Sequence, residues 1–109
     1  VVSTIAGNGT SGSSSGTTLE AEFDGPIGLS ITKDETLFVA DNGSSTIRRI
    51  SPVHITTTLA GQANKTKFKD GIGPLSRFKN PRGLVYSHGL NQLFISDQSH
   101  QRIRGITPE

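Results

Sequence analysis

The chain has 109 residues, of which 31% are apolar, and a net charge of +2. One Tyr, five Phe and no Trp leave few large side chains to bury, too few to offset the folding entropy of an isolated globule. The lack of Cys excludes disulfides and thiolate metal sites, the small charge excess argues against a dedicated nucleic-acid binder, and no apolar run of about 18 residues is present to span a membrane.

The chain opens without an initiator Met or a charged-then-apolar leader, which reads as a processed or excised segment. Val2 to Ala6 has the β-branched character of a strand. Gly7-Asn8-Gly9-Thr10-Ser11-Gly12 spells a dinucleotide-binding fingerprint, but that chemistry needs the glycines to open a helix whose N–H groups hold pyrophosphate. Ser13-Ser14-Ser15-Gly16 follows instead, so a mobile loop is expected and no cofactor is implied. Leu19 to Phe23 can make one helical turn. Strands are expected at Gly28 to Thr32, Thr36 to Ala40, Thr46 to Ser51 and Ile55 to Ala60, separated by the turn sequences Lys33-Asp34-Glu35 and Asp41-Asn42-Gly43-Ser44. Pro74 to Phe78 can make a second helical turn. Further strands are expected at Gly83 to Ser87, Gln92 to Ser96 and Gln101 to Thr107, with turns at His88 to Asn91 and Asp97 to His100.

These elements repeat in order. Thr4-Ile5-Ala6-Gly7 returns as Thr58-Leu59-Ala60-Gly61, and Phe23-Asp24-Gly25-Pro26-Ile27-Gly28-Leu29 as Phe78-Lys79-Asn80-Pro81-Arg82-Gly83-Leu84. Leu37-Phe38-Val39-Ala40-Asp41 returns as Leu93-Phe94-Ile95-Ser96-Asp97, and Ile47-Arg48-Arg49-Ile50 as Ile103-Arg104-Gly105-Ile106. The chain therefore divides into a first repeat over 1–54 and a second over 55–109, within one segment. Four short strands per repeat make a small antiparallel sheet. Consecutive apolar positions such as Leu37 to Ala40 call for burial on both faces, which radial stacking of sheets provides. The fold class is all-β: two four-stranded antiparallel β-propeller blades. The chain begins on a fourth strand and stops after a third, so Val2 to Ala6 is expected to complete a sheet of another copy or of adjoining sequence. Closure then comes from adjacent blades or a homo-oligomer, for instance a trimer giving six blades.

Three features resemble the NHL repeat: the two Pro-x-Gly-Leu segments beginning at Pro26 and Pro81, the apolar strands ending in Asp41 and Asp97, and the Ile-Arg segments beginning at Ile47 and Ile103. The segments Ser3 to Gly9 and Asp70 to Phe78 resemble its long-loop variety. Gly105 departs from the pattern, standing where Arg49 does in the first copy. The resemblance implies a propeller of NHL type; it does not imply one activity, because such propellers host many.

Candidate sites are sparse. Asp41 and Asp97 end equivalent strands and are expected to be structural, accepting backbone N–H groups of the following turn. His54, His88 and His100 share no metal-ligand spacing and are expected to be solvated, with His100 standing where Ser45 does. No metal site and no catalytic residue is expected. Lys65, Lys67, Lys69, Arg77, Lys79 and Arg82 gather around the second inter-blade link and form the candidate partner-binding loop. Its expected partner is an acidic protein or a glycan; RNA is a weaker alternative, because aromatic stacking platforms are lacking. Asn8, Asn42 and Asn64 each begin an Asn-x-Ser/Thr sequon, which makes them candidate glycosylation sites and tilts the reading toward a secreted, luminal or cell-surface protein. The leading functional expectation is a non-catalytic scaffold whose loops bind other macromolecules. The alternatives are a fragment of a propeller lyase or hydrolase whose catalytic groups lie elsewhere, and a structural repeat unit of an extracellular assembly.

Overall fold

In a computed structural model that describes residues 1–108, the β-branched and aromatic runs form two antiparallel sheets. The first holds β1 (Pro26–Ile31), β2 (Leu37–Asp41), β3 (Thr46–Ile50) and β4 (Thr56–Ala60) in sequence order. The second holds β5 (Pro81–Ser87), β6 (Gln92–Asp97) and β7 (Arg102–Ile106). β2, β4 and β7 begin one residue later than the sequence expectation, and two strands begin two residues earlier. β1 and β5, the edge strands that face each other and are the inner strands of the two sheets, begin at Pro26 and Pro81 rather than at Gly28 and Gly83, because a proline without an N–H is tolerated at the first residue of an edge strand. Each proline faces the aspartate that ends the neighbouring strand, Pro26 opposite Asp41 and Pro81 opposite Asp97, and a bulge follows it.

The second sheet shows three of its expected four strands, and Val2 to Ala6 is not a strand. Its expected partner is a third strand of another copy or of adjoining sequence, and within this chain it pairs with neither sheet. It runs instead past the far face of the first sheet, where Thr4, Ile5 and Ala6 border an apolar recess with Leu29, Leu37 and Val39. The expected helical turn at Leu19 to Phe23 is a single hydrogen-bonded turn in which Glu20 and Ala21 both donate to the Thr17 carbonyl. The second lies slightly earlier than expected, as a 3-10 turn over Gly73–Leu75.

The sheets pack face to face. Side chains alternate across a strand, so Phe38 and Ala40 of β2 point to one face together with Ile47 and Ala60, and they meet Leu93 and Ile95 of β6. Phe78, from the link between the sheets, closes this core. The Phe38 and Tyr86 rings stack across the gap with centroids 6.3 Å apart. Val39, on the opposite face of β2, is also buried, which is the two-sided burial that the consecutive apolar positions require. Polar groups add specificity to the contact: the Ser30 hydroxyl accepts the Tyr86 N–H at 3.1 Å, and the Ser45 hydroxyl accepts the Asn80 N–H at 3.2 Å.

The inner strands meet backbone to backbone. A Cβ placed on Gly28 of β1 would lie 2.2 Å from the Arg82 carbonyl oxygen of β5. Backbone cannot swing aside as a side chain can, so the approach requires glycine. Gly28→Ala is therefore expected to cost about 1–3 kcal/mol of stability in urea unfolding. Gly89→Ala, where an added Cβ meets nothing within 4 Å, is expected to leave the midpoint unchanged; equal midpoints for the two variants would refute the close-approach assignment.

Candidate functional site

β3 and β7 each carry one arginine whose guanidinium turns away from solvent. Arg48 is fully buried and donates to the carbonyls of Glu22 (2.7 Å) and Ser14 (2.9 Å), both in the loop that leads into the first sheet. Arg104 donates to the carbonyls of Arg77 (2.8 Å) and Lys69 (2.9 Å), the matching positions of the second loop. Each guanidinium also lies over the phenylalanine that precedes the inner strand, Arg48 at 5.0 Å from the Phe23 centroid and Arg104 at 4.7 Å from that of Phe78. Each sheet thus pins its entry loop by one cation that satisfies two loop carbonyls. Charged groups kept inside otherwise apolar strands, at the same place in both repeats, are the sequence signal that could have exposed this network.

Asp41 and Asp97 complete it. Their carboxylates are buried, and one oxygen of each accepts a backbone N–H at 2.8 Å. The donors are Asp24 and Lys79, in the preceding loop; the expectation of N–H groups from the following turn is corrected. The reason is topological, since the bulge after Pro26 and Pro81 brings the entry loop, not the hairpin tip, under the strand end. The following turn contributes a side chain instead: the Ser44 hydroxyl donates to Asp41 Oδ2 at 2.6 Å, and His100 Nδ1 lies 2.7 Å from Asp97 Oδ2. His100 is consequently not a solvated tip, and its counterpart in the first copy is Ser44 rather than Ser45. Its Nε2 meets the Thr66 carbonyl at 2.6 Å, and its ring meets Phe68 edge to face. His54 and His88 are exposed, as expected.

The two copies differ in their electrostatics. Arg104 is 2.8 Å from Asp97 and also engages Asp70, whereas Arg48 stands 3.8 Å from Asp41 without a hydrogen bond between them. Burial therefore pushes the Asp41 carboxyl above the usual aspartate range, against the opposing pull of the Ser44 hydroxyl, the Asp24 N–H and Arg48. Burial likewise lowers the Arg48 guanidinium.

The candidate partner-binding loop is pinned at its backbone and open at its side chains. Lys65 and Lys69 sit in short antiparallel bridges, with Gln62 and Arg77 respectively, and the Ser76 hydroxyl donates to the Gly73 carbonyl at 2.6 Å. Lys65, Lys67, Lys69, Lys79 and Arg82 are exposed, and none makes an ion pair with a described residue. Arg77 departs from this group: its guanidinium folds onto the loop's own carbonyls, those of Pro74 and Ser76. In the first link the matching acids are engaged locally, Glu20 by Thr17 and Glu22 by Ser14.

Of the sequons, Asn8 and Asn64 are exposed. Asn42 is a correction: its Nδ2, the atom that would carry a glycan, donates to the Pro81 carbonyl at 3.2 Å across the sheet interface, and the Ser44 hydroxyl of the same sequon is buried against Asp41. Among the described residues no group of three or more His, Asp or Glu side chains is placed to hold a metal ion, and no helix is long and apolar enough to cross a membrane.

Two outcomes follow for the arginine network. Arg48→Met leaves the Ser14 and Glu22 carbonyls and the Asp41 carboxylate without their cation, and is expected to lower stability by about 3–5 kcal/mol in urea unfolding. For Asp41, the native state holds its proton more tightly than the unfolded chain does. Its contribution is fully present below the ordinary aspartate pKa and is lost as pH rises through the elevated native value. Asp41→Asn should flatten that part of the stability–pH curve; an unaltered slope would contradict the assignment.

No family model matches the chain. NHL repeat-containing protein 2 of Bos taurus is 30% identical over 100 residues, covering 83% of this chain and 14% of that protein, and the human protein is 29% identical over the same shares. The chain therefore spans about one-seventh of the length of these relatives. Among solved structures, an auxiliary nutrient binding protein from Bacteroides thetaiotaomicron superposes with a TM-score of 0.81 at 23% identity, over 93% of this chain and 27% of that one. A candidate phosphatase from the same organism gives 0.82 at 23% identity, over 95% and 26%. At that identity these likenesses speak for the fold. Two wedge-packed sheets with the same Asp–Arg network at the same repeat positions, together with the curated relatives, show that this chain belongs to the NHL-repeat β-propeller family and carries two tandem repeats of it.

Proposed function

We propose that the protein is a non-catalytic NHL-type propeller scaffold whose second inter-blade link, residues 62–80, binds an acidic surface on another protein. The observation that carries this reading is the contrast within that link. Its backbone is tied down by Arg104, while the ammonium groups of Lys65, Lys67, Lys69 and Lys79 face solvent without carboxylate partners among the described residues. A fixed backbone carrying free cations lowers the ordering cost of docking and steers an oppositely charged partner toward it. The non-catalytic part rests on the acids and bases of the repeat that could serve chemistry. Asp41, Asp97 and His100 are each committed to two or more hydrogen bonds inside the fold. Closure of the ring, by further blades or by other copies of the chain, belongs to the same reading, since the outer edge of β7 pairs with no strand among the described residues.

The test uses labelled polyglutamate and oligouridine as probes, followed by fluorescence anisotropy. Polyglutamate is expected to bind more tightly than oligouridine. The triple variant K65E/K67E/K69E should weaken polyglutamate binding by about tenfold or more, since exposed charges contribute up to about 1 kcal/mol each. Undiminished binding by the variant, or a preference of the native chain for oligouridine, would sink the proposal.

A further inference from the structure

Each sheet has one face inside the wedge and one outside it. Inside, Phe38, Ala40 and Ile47 of the first sheet meet Leu84, Leu93 and Ile95 of the second. Strand pairing extends the outer faces across each sheet. Leu29 lies opposite Val39 and Ile31 opposite Leu37, while Val85 lies opposite Phe94 and Ile103 opposite Ser96. The outside of the first sheet therefore carries Leu29, Ile31, Leu37 and Val39, and the outside of the second carries Val85, Phe94, Ser96 and Ile103. Both outer faces keep large apolar groups in solvent: Leu29 is 62% exposed and Ile103 73%. Apolar surface of this kind marks a place where another surface packs.

The repeat makes these outer faces the counterparts of the inner ones. Phe94, Ser96 and Ile103 stand where Phe38, Ala40 and Ile47 do, and Leu29, Leu37 and Val39 stand where Leu84, Leu93 and Ile95 do. The outside of the second sheet thus repeats the surface that the first sheet turns into the wedge, and the outside of the first repeats that of the second. Two surfaces that already fit one another within the chain are offered again, one on each side of it. Gly83 extends the match, because it stands where Gly28 does. A Cβ on Gly28 would strike the backbone of the next sheet, whereas within one copy a Cβ on Gly83 would meet only the Ser96 side chain, at 2.9 Å. The free edge completes the picture. A recess of 1020 Å³ beside β7, lined by Ile103, Arg104 and Ile106, lies where β4 lies beside β3 in the first sheet. Val2 to Ala6 aligns with β4. In the register of β3 and β4, Ala6 falls opposite Ile103 and Thr4 opposite Arg104, as Ala60 falls opposite Ile47 and Thr58 opposite Arg48.

We propose that the outer face and free edge of the second sheet bind a second copy of this chain, which seats the outside of its first sheet there and adds Val2 to Ala6 as the fourth strand beside β7. The interface is head to tail: the patch a copy gives differs from the patch it receives, so each copy leaves one of each for the next. Its template is the internal contact between the two sheets, whose wedge turns each added copy in the same sense and closes a ring. Propellers hold about 4–8 blades, so the ring holds about two to four copies of this two-blade unit. The interface supplies the occupant for the ring closure of the scaffold reading and rests on that reading.

Analytical ultracentrifugation of the intact chain reads the copy number. A discrete species of about two to four copies is expected. Ile103→Glu blocks the outside of the second sheet and Leu29→Glu that of the first, because a carboxylate buried without a partner is costly. Both positions are exposed within one copy, so circular dichroism is expected to show both variants folded. Each variant alone should sediment as one copy. Mixed, they should form a one-to-one pair, since each keeps the face that the other lacks. A native mass of one copy would leave the face to a blade of other sequence and overturn the proposal. So would an open-ended polymer, native assembly by either variant, or variants that fail to pair when mixed. Polyglutamate anisotropy on the same samples separates this interface from the lysine-rich link: a single-copy chain that binds polyglutamate overturns the assembly alone, and an assembled chain that does not bind it overturns the lysine reading alone.

Discussion

A guanidinium that reaches from a strand into two loop carbonyls is the contact on which each blade of this protein depends. The loops that enter the sheets, residues 7–25 and 61–80, have few apolar side chains with which to hold themselves in place. Arg48 and Arg104 supply what burial cannot, by donating to the Glu22 and Arg77 carbonyls and, beside a backbone N–H that each already accepts, to those of Ser14 and Lys69. The cost of burying the cation is offset by those hydrogen bonds, by the phenylalanine rings beneath it and by the neighbouring aspartate. Asp41 and Asp97 then tie the same loops a second time through the Asp24 and Lys79 N–H groups. The strand end, the hairpin tip and the entry loop become one polar unit in each repeat.

That unit explains how a chain with so little large apolar surface holds two sheets together. The dry core is small, centred on Phe38, Phe78, Leu93 and Ile95. It is placed by the Gly28–Arg82 approach at one side and by the pinned Phe78 at the other, so shape rather than bulk sets the wedge between the sheets. The second copy is the more strongly tied. Asp70 and His100 join Arg104 and Asp97, and Arg102 lies 3.8 Å over the Phe68 ring. The link that carries the free lysines is therefore also the better anchored of the two, which is the combination a docking loop needs.

The two ends of the wedge carry different chemistry. At the end of the Asp41 and Asp97 turns, titratable groups are tied to one another and to backbone. At the opposite end, around the hairpins of Thr32 to Thr36 and Tyr86 to Asn91, polar groups pair within their own hairpin, Asp34 with the Thr32 hydroxyl and the Thr36 N–H, and the Tyr86 phenol with Asn91. A repeat architecture permits this division, because the strands fix the spacing of both hairpin sets while the turn residues remain free to vary.

What the sequence determined by itself is the repeat, and through the repeat the fold: the order of the matched blocks from Thr4 to Ile106 required two copies of one antiparallel sheet, and the consecutive apolar residues of Leu37 to Ala40 required those sheets to be covered on both sides. Strand periodicity is a local property, so it survives in one dimension. The partners of the polar groups do not. Nothing in the spacing of Arg48 shows that it reaches Ser14, or that His100 leaves solvent for the Thr66 carbonyl, or that Asn42 is bonded to Pro81 and not free to carry a glycan. Val2 to Ala6 has the residues of a strand, and within one chain it borders the recess beside Leu29, Leu37 and Val39 instead of pairing with a sheet. Those features depend on residues far apart in the chain, brought together by the twist and stacking of the sheets, and side-chain pairing across such distances leaves no period to read.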